Sequence, residues 1–287
     1  MRISAIFIAK NEEEIVRTAL ESVKDFDEII FVDTGSTDKT IEIAKEYTDK
    51  IFHFPWIKDF SAARNFAIEQ ATGDWCYSID CDHQLITPYE EFKKEVERLS
   101  NEGHTVLKVK TLMGKSKIPL MEREVLFKNS PEIRWIGAVH ECISPKGTAT
   151  ADITRWCGYS KNHYSEPERN IEILLSQLIT QRSRFYLGRE YYELRRYEEA
   201  IKWMEEYLKE ATWIPEKGEA WLVIARCYWF LQKGDDARKA CYEAIKINPD
   251  FKEALLLMAT MHFEPWKHKW ERLAASATNE DVLFIRT

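Results

Sequence analysis

This chain lacks paired cysteines, long apolar runs and any surplus of positive charge, and each absence removes a class of function. Its six cysteines, Cys76, Cys81, Cys142, Cys157, Cys227 and Cys241, include no Cys-x-x-Cys pair. Reduced thiols are therefore expected, and a zinc site is not. No apolar stretch reaches the roughly 18 residues needed to cross a bilayer, and no charged-then-apolar presequence opens the chain. A cytoplasmic protein without a transmembrane segment is the expectation. Acidic residues outnumber basic ones, 48 to 41, and the net charge of -7 argues against broad nonspecific nucleic-acid binding. What is present is core material: 45% hydrophobic and 13% aromatic residues in a chain of 287 suffice for two packed cores.

The first of these has an alternating β and α pattern. Ile3 to Ala9 reads as a buried strand, and a helix opening at Lys10-Asn11-Glu12-Glu13-Glu14 carries Ile15, Val16, Ala19, Leu20 and Val23 at helical spacing. A second strand, Glu28 to Val32, stops at Asp33-Thr34-Gly35-Ser36-Thr37-Asp38. There Gly35 permits a tight turn, and Ser36 or Thr37 can cap a helix running from about Lys39 to Tyr47. Ile51 to Phe54 is a short third strand and Ser61 to Gln70 a third helix. Such alternation predicts a mostly parallel sheet whose ligand site lies beyond the carboxyl ends of its strands, where Asn11, Asp33 and Asp80 stand.

Asp80-Cys81-Asp82 follows the strand-like run Gly73 to Ile79. On the last pleat of a strand, two carboxylates one residue apart point the same way. They can share a hard cation, Mg2+ or Mn2+, that keeps coordination positions open for a diphosphate. The alternative is a solvated acid pair at a strand end. Cys81 would face the opposite side and serve packing.

Four segments then carry a recognisable pattern in order and spacing: Ile8-Ala9-Lys10-Asn11-Glu12-Glu13, Val32 to Thr40, Phe60-Ser61-Ala62-Ala63-Arg64-Asn65, and Gly73-Asp74-Trp75 with Asp80-Cys81-Asp82. Together they resemble family-2 glycosyltransferases of the GT-A fold, over roughly residues 1 to 165. The nearest likeness is to the branch of lipopolysaccharide-core glucosyltransferases and peptide S-glycosyltransferases. In that branch Trp135-Ile136-Gly137-Ala138-Val139-His140-Glu141 corresponds to a Gly-x-Val-His-Glu segment.

The resemblance implies a nucleotide-sugar donor, UDP-glucose or a related UDP-hexose, and Mn2+ or Mg2+ as cofactor. It implies that Asp33 accepts from a uracil-type N–H and that Asn11 and Glu12 reach base or ribose. Arg64 would meet a pyrimidine edge or a phosphate, or else form a structural ion pair. Asp80 would contact ribose or metal, and Asp82 the metal. Glu141 is the candidate base that takes the acceptor's proton during inverting displacement, and His140 a candidate metal ligand, although the two can exchange roles. Asp38 is read as a first-turn helix cap, with direct nucleotide contact as the alternative.

Two positions depart from the family pattern. His83 stands where a carboxylate usually follows Asp-x-Asp, and Trp156 stands at the histidine of a His-x-Gly-Tyr segment, so that a ligand is replaced or lost. His83 or His163 are candidates to compensate. Lys108, Lys110, Lys115 and Lys117 surround Gly114 and read as a solvated hairpin or as a phosphate-facing lid.

From about Glu166 the spacing becomes helical, with a repeat near 34 residues. Leu187-Gly188, Tyr191, Tyr197, Ala200, Met204 and Tyr207 match Trp221, Ile224-Ala225, Tyr228, Ala237, Cys241, Ala244 and Pro249 in order. Gly188 and Ala225 fall where paired helices cross closely. This resembles tetratricopeptide repeats, with a third, degenerate unit from near Phe251.

The expected architecture is therefore an α/β GT-A domain over residues 1 to 165, an all-α tetratricopeptide-like domain over 166 to 275 and a tail over 276 to 287. A first helix, Pro167 to Gln181, would act as a joint, and the array is expected to dock on the catalytic domain. Trp203, Trp213, Trp229, Trp266 and Trp270 are either repeat core or a face for a peptide or a second copy in a homo-oligomer. A peptide or protein, an envelope saccharide and a modified nucleobase all remain as acceptors. The competing reading is a non-catalytic, repeat-based adaptor with a degenerate GT-A domain. A nucleotidyltransferase is disfavoured because Lys10-Asn11-Glu12-Glu13 is acidic and glycine-free.

Overall fold

The apolar runs at the head of the chain become strands because both of their faces are covered. Ile3–Ala9 (β1) and Glu28–Asp33 (β2) are buried along almost their whole length. The computed structural model describes residues 1–114, 121–147, 149–158 and 167–278. The chain divides into two compact units, Met1–Pro167 and Glu168–Thr287. In the first unit, helix α1 (Val16–Glu21) lies between β1 and β2. After these come α2 (Thr40–Ala44), β3 (Ile51–His53), α3 (Phe60–Gln70), β4 (Trp75–Ser78), β5 (His83–Leu85) and α4 (Tyr89–Asn101). The unit continues with β6 (Val106–Met113), β7 (Met121–Lys128), β8 (Arg134–Ile136), β9 (Cys142–Ser144) and β10 (Ala149–Cys157).

Eight strands form one sheet in the order β3-β2-β1-β4-β7-β6-β10-β5, while β8 and β9 pair separately. The strands β3, β2, β1 and β4 are mutually parallel, and β7 runs against β4. Chain order reverses about β1, which has β2 on one side and β4 on the other. The carboxyl ends of these three strands thus stand side by side at a switch point, the usual mouth of an open α/β sheet.

Two helices are shorter than their sequence pattern, for a local reason. Asn11 takes a left-handed backbone, φ 57°. The N–H groups of Asn11, Glu12 and Glu13 donate to Ser36 Oγ (3.0 Å), Thr40 Oγ1 (2.7 Å) and Asp38 Oδ2 (3.1 Å). The neighbouring loop therefore satisfies the groups that the first helical turn leaves orphaned, and α1 begins only at Val16. Ser36 is occupied in this way and does not cap α2, whose first turn instead has the Thr40 N–H donating to Asp38 Oδ1 at 2.9 Å. Those hydrogen bonds hold the Asp38 carboxyl below its ordinary range although burial pushes it up. The reading of Asp38 as a structural acid fits this arrangement.

Lys108 and Lys110 lie on β6, opposite Glu124 and Glu122 of β7, and Lys110 also bonds Asp152 at 2.8 Å. These two form the charged face of a hairpin; Lys115 and Lys117 lie outside the described residues.

The second unit opens with α5 (Arg169–Ser176) and continues as helix pairs: α6 (Gln181–Glu193) with α7 (Tyr197–Leu208), α8 (Ile214–Phe230) with α9 (Gly234–Ile247), and α10 (Lys252–Thr260) with α11 (Trp266–Ser276). The helix read as running from Pro167 to Gln181 is thus broken after Ser176, and α6 starts afresh on a capping box made by Thr180 and Ser183. Gly188 sits where α6 meets α7: a Cβ there would lie 2.7 Å from Met204 Cγ, so a larger residue would displace the Met204 side chain. Ala225 is fully buried, and Phe251 stands at the N-terminus of the third pair. Of the tryptophans, Trp213, Trp229 and Trp266 are exposed while Trp203 and Trp270 are half-buried, so repeat core does not account for them all. Most of the tail, residues 279–287, lies outside the described residues.

A buried carboxylate locks β1 and β2 to the start of β4. Glu28 accepts from Ser4 Oγ, from the Lys50 ammonium, and from the backbone N–H and hydroxyl of Thr72, each at 2.8 Å in the last two cases. Burial raises the carboxyl's pKa, but Lys50, Ser4 and Thr72 outweigh it and bring the value to about 2 from 4.5. The folded value lies below the unfolded one. Its stabilisation is therefore complete above about pH 4.5 and is lost as pH falls toward 2. Glu28→Gln should lower the unfolding free energy in urea at pH 7 by on the order of 3 kcal/mol, with the difference from the parent closing as pH approaches 2.

Candidate functional site

At the mouth formed by β2, β1 and β4, Arg64 occupies the centre. It projects from α3, whose first turn is fixed by Asp59 accepting the Ala62 N–H at 2.9 Å. Its Nε donates to Glu141 Oε1 at 2.7 Å, Nη2 to Asp80 Oδ1 at 2.8 Å and Nη1 to Ser78 Oγ at 3.2 Å. The guanidinium also lies over the Trp135 ring, 5.0 Å from its centroid. Burial works against the charge on Arg64, yet Asp80 and Glu141 overcome it and raise the pKa. Asp80 in turn is pushed up by desolvation, but Arg64 and then His83 hold its carboxyl below the ordinary range.

The segment bearing Glu141 is held by the helix that bears Arg64. Asn65 Nδ2 donates to the Trp135 carbonyl and Asn65 Oδ1 accepts the Trp135 N–H, both at 2.9 Å, so the side-chain amide pairs with the backbone as a strand would. The Phe60 N–H donates to the Ala138 carbonyl at 2.8 Å. Between β8 and β9 the chain bends rather than extends, and His140 adopts φ 52°. Strand alternation therefore does not govern where His140 and Glu141 point; a left-handed turn does.

The acidic triplet also differs from its sequence expectation. β4 ends at Ser78, and residues 80 to 83 form a turn in which the His83 N–H donates to the Asp80 carbonyl at 2.9 Å. Asp80 and Asp82 are thus brought together by the turn and not by a strand pleat. Cys81 is buried in the sheet's core, a packing residue as its position suggests.

Beyond the turn, β5 pairs with β10 so that His83 lies opposite Cys157. His83 Nδ1 is 2.9 Å from Asp82 Oδ1 and 3.7 Å from Asp80 Oδ2, is buried, and makes no hydrogen bond. Ligand atoms of Asp82, His83 and Cys157 all lie within 4.8 Å of one another. An orphaned buried nitrogen beside a carboxylate and a thiol is a donor set that fits a divalent cation. Among the described residues this group gathers Asp82 but neither Asp80 nor His140, and His163 lies outside them. Burial first, and Asp82 next, push the Cys157 thiol up to about 11. Trp156, at the departing histidine position, donates from Nε1 to the Gly114 carbonyl at 2.9 Å, tying β10 to the end of β6.

On the other side of the mouth, Asp33 is 3% exposed. It accepts backbone N–H groups from Gly35 (3.0 Å) and Ser36 (3.1 Å), holding a turn in which Gly35 has φ 114°. His53, paired across β3 with Asp33, places Nδ1 3.4 Å from Asp33 Oδ2. Asn11 Oδ1 accepts the Thr37 N–H at 2.7 Å. Asp33, Asn11 and Glu12 thus share one stitched pair of loops, in which both Asp33 oxygens accept backbone N–H groups. Sequence reasoning missed three participants. Ser78 and His53 are revealed only by strand register, and Cys157 only by the pairing of β5 with β10.

A family model for glycosyl transferase family 2 matches residues 4–149, half of the chain, and tetratricopeptide repeat models match residues 182–211 and 218–251. The chain therefore belongs to glycosyl transferase family 2, with a GT-A α/β domain followed by tetratricopeptide repeats. It is similar to a TPR repeat-containing protein of Synechococcus elongatus, 40% identical over 144 residues, which cover 50% of this chain and 35% of that protein. It is also similar to the lipopolysaccharide core biosynthesis glycosyltransferase LpsC of Rhizobium meliloti, 31% identical over 157 residues, covering 50% of this chain and 58% of LpsC. Among solved structures it is similar to TarS of S. aureus, with 16% identity and a TM-score of 0.45, covering 91% of this chain and 55% of that one. The chain thus spans between about a third and three fifths of the length of these curated relatives.

Removing the central cation tests the electrostatics directly. Arg64→Met leaves Asp80 and Glu141 without their shared partner. It should cost about 3 kcal/mol in urea unfolding, the low end for a broken buried pair, because Asp80 is 40% exposed. The Asp80 carboxyl, followed by NMR titration, should move up.

Proposed function

We propose that the chain is a metal-dependent, inverting glycosyltransferase that moves a hexose from a UDP-sugar to an acceptor nucleophile. The observation that carries the reading is Arg64 holding Asp80 and Glu141 at once, since it ties the candidate donor-side acid to the candidate base. Asn11, Glu12 and Asp33 would bind the nucleoside at the stitched loops, and Asp80 the ribose or the cation. Asp82, with His83 and Cys157 beside it, would hold a divalent cation. When bound, that cation neutralises charge on the departing nucleoside diphosphate.

Glu141 would take the acceptor's hydroxyl or thiol proton as the new bond forms at the anomeric carbon and the carbon–oxygen bond to phosphate breaks. Arg64, by fixing Glu141 through Nε, would keep the carboxylate oriented for that task. The similarity to LpsC, a lipopolysaccharide core biosynthesis glycosyltransferase, makes an envelope saccharide the first acceptor to assay, ahead of peptides and modified nucleobases.

Two variants test the assignment. Asp82→Ala should abolish both metal-dependent UDP-sugar hydrolysis and transfer, whichever divalent cation supports them in the parent protein, and undiminished turnover would reject the site. Glu141→Gln should retain UDP binding by calorimetry while transfer falls by about 100-fold or more; a variant that transfers normally would remove Glu141 as the base.

A further inference from the structure

Mg2+ and Mn2+ favour all-oxygen shells, whereas imidazole and thiol donors favour borderline ions such as Zn2+ and Co2+. The donor set at the turn after β4 is mixed: one carboxylate oxygen of Asp82, a ring nitrogen of His83 and Sγ of Cys157. We propose that these three side chains form a cation site selective for Zn2+ or Co2+ over Mg2+ and Mn2+. The proposal rests on the glycosyltransferase reading only for its consequence, that donor chemistry here would run on a borderline ion.

The geometry is close to what such an ion requires. Asp82 Oδ1 and His83 Nδ1 are 2.9 Å apart. Bonds of about 2.0–2.1 Å to one ion subtend roughly 90° across such a separation. Cys157 Sγ lies within 4.8 Å of a carboxylate oxygen of Asp82 and of a ring nitrogen of His83, a limit about an ångström beyond the edge of a tetrahedron with a metal–sulfur bond of ~2.3 Å. Ligation would draw the sulfur in by up to that amount. Register, not chance proximity, supplies the approach, since β5 and β10 pair with His83 opposite Cys157. His83 Nδ1 is the independent sign: a buried nitrogen with no hydrogen-bond partner faces two carboxylates. Uptake replaces the thiol proton by the metal, M2+ plus Cys–SH giving Cys–S–M+ and a proton released to solvent. The scattered cysteine spacing that speaks against zinc in the sequence leaves out this cross-strand pairing. The two departures from the family pattern then belong together. His83 replaces an oxygen donor by nitrogen, and the strand on which Trp156 displaces histidine supplies sulfur one residue later.

The test uses the full chain, stripped with chelator and titrated with Co2+ under anaerobic conditions, without donor or acceptor. A thiolate-to-cobalt charge-transfer band in the near ultraviolet is expected. It should be lost in Cys157→Ser, kept in Cys142→Ser and displaced stoichiometrically by Zn2+ but not by excess Mn2+. His83→Ala should weaken Co2+ binding at least about tenfold. Should Cys157→Ser fail to fold, the parent protein gives the same answer through alkylation: Zn2+ should protect Cys157 from iodoacetamide, read by mass spectrometry, whereas Mg2+ should not. Absence of the band, its persistence in folded Cys157→Ser, or equal displacement by Mn2+ overturns the proposal. Failure of UDP-sugar turnover alongside an intact sulfur band would sink the enzymatic reading and leave this site standing. Turnover with Mg2+ and no sulfur band would do the reverse.

Discussion

One guanidinium organises the mouth of the sheet. Arg64 satisfies Glu141, Asp80 and Ser78 together and stacks on Trp135, linking α3, the end of β4 and the segment between β8 and β9. Two carboxylates in a mostly enclosed corner repel each other and lose hydration, and only a fixed cation between them makes both tolerable. Arginine suits the task because its planar fork reaches several acceptors in set directions, which a lysine ammonium does not. The flanking Asn65 adds rigidity by pairing with the Trp135 backbone, so the segment bearing Glu141 and the guanidinium that holds it share one helix as their common support.

The charges divide into two compartments along this edge. On the Arg64 side, Asp80 and Glu141 are neutralised by the protein itself. On the far side of the turn, Asp82 faces His83 and Cys157. The far side thus gathers a carboxylate, an imidazole and a thiol, whereas the arginine side gathers two carboxylates about one guanidinium. The loops after β1 and β2 form a third element, in which Asp33, Asn11, Ser36, Thr37 and Asp38 exchange hydrogen bonds and stiffen that side of the mouth.

The helical unit follows a different logic. Each pair buries its apolar face on its neighbours, and the crossing at Gly188 and Met204 shows how little space separates α6 from α7. Trp213, Trp229 and Trp266 stay exposed. The repeat pattern in the sequence therefore locates the helices but not the role of every aromatic, because helical spacing fixes a face and only the packed neighbours decide whether that face is covered.

The sequence by itself determined the βα alternation, the placing of Asn11, Asp33 and Asp80 near strand ends, the family, the repeats and the packing role of Cys81. These follow from periodicity, turn chemistry and local motifs, which act over a few residues. Tertiary structure decided the rest. It put Asp80 and Asp82 on a turn where the sequence reads as strand, and gave His140 a left-handed backbone that cancels strand alternation. It used the Asp33 carboxylate to hold its own loop, and set Cys157 opposite His83. Each of these depends on register or on hydrogen bonds between segments tens of residues apart, and such pairings are settled by the competition among whole strands for partners, which no local window of sequence contains.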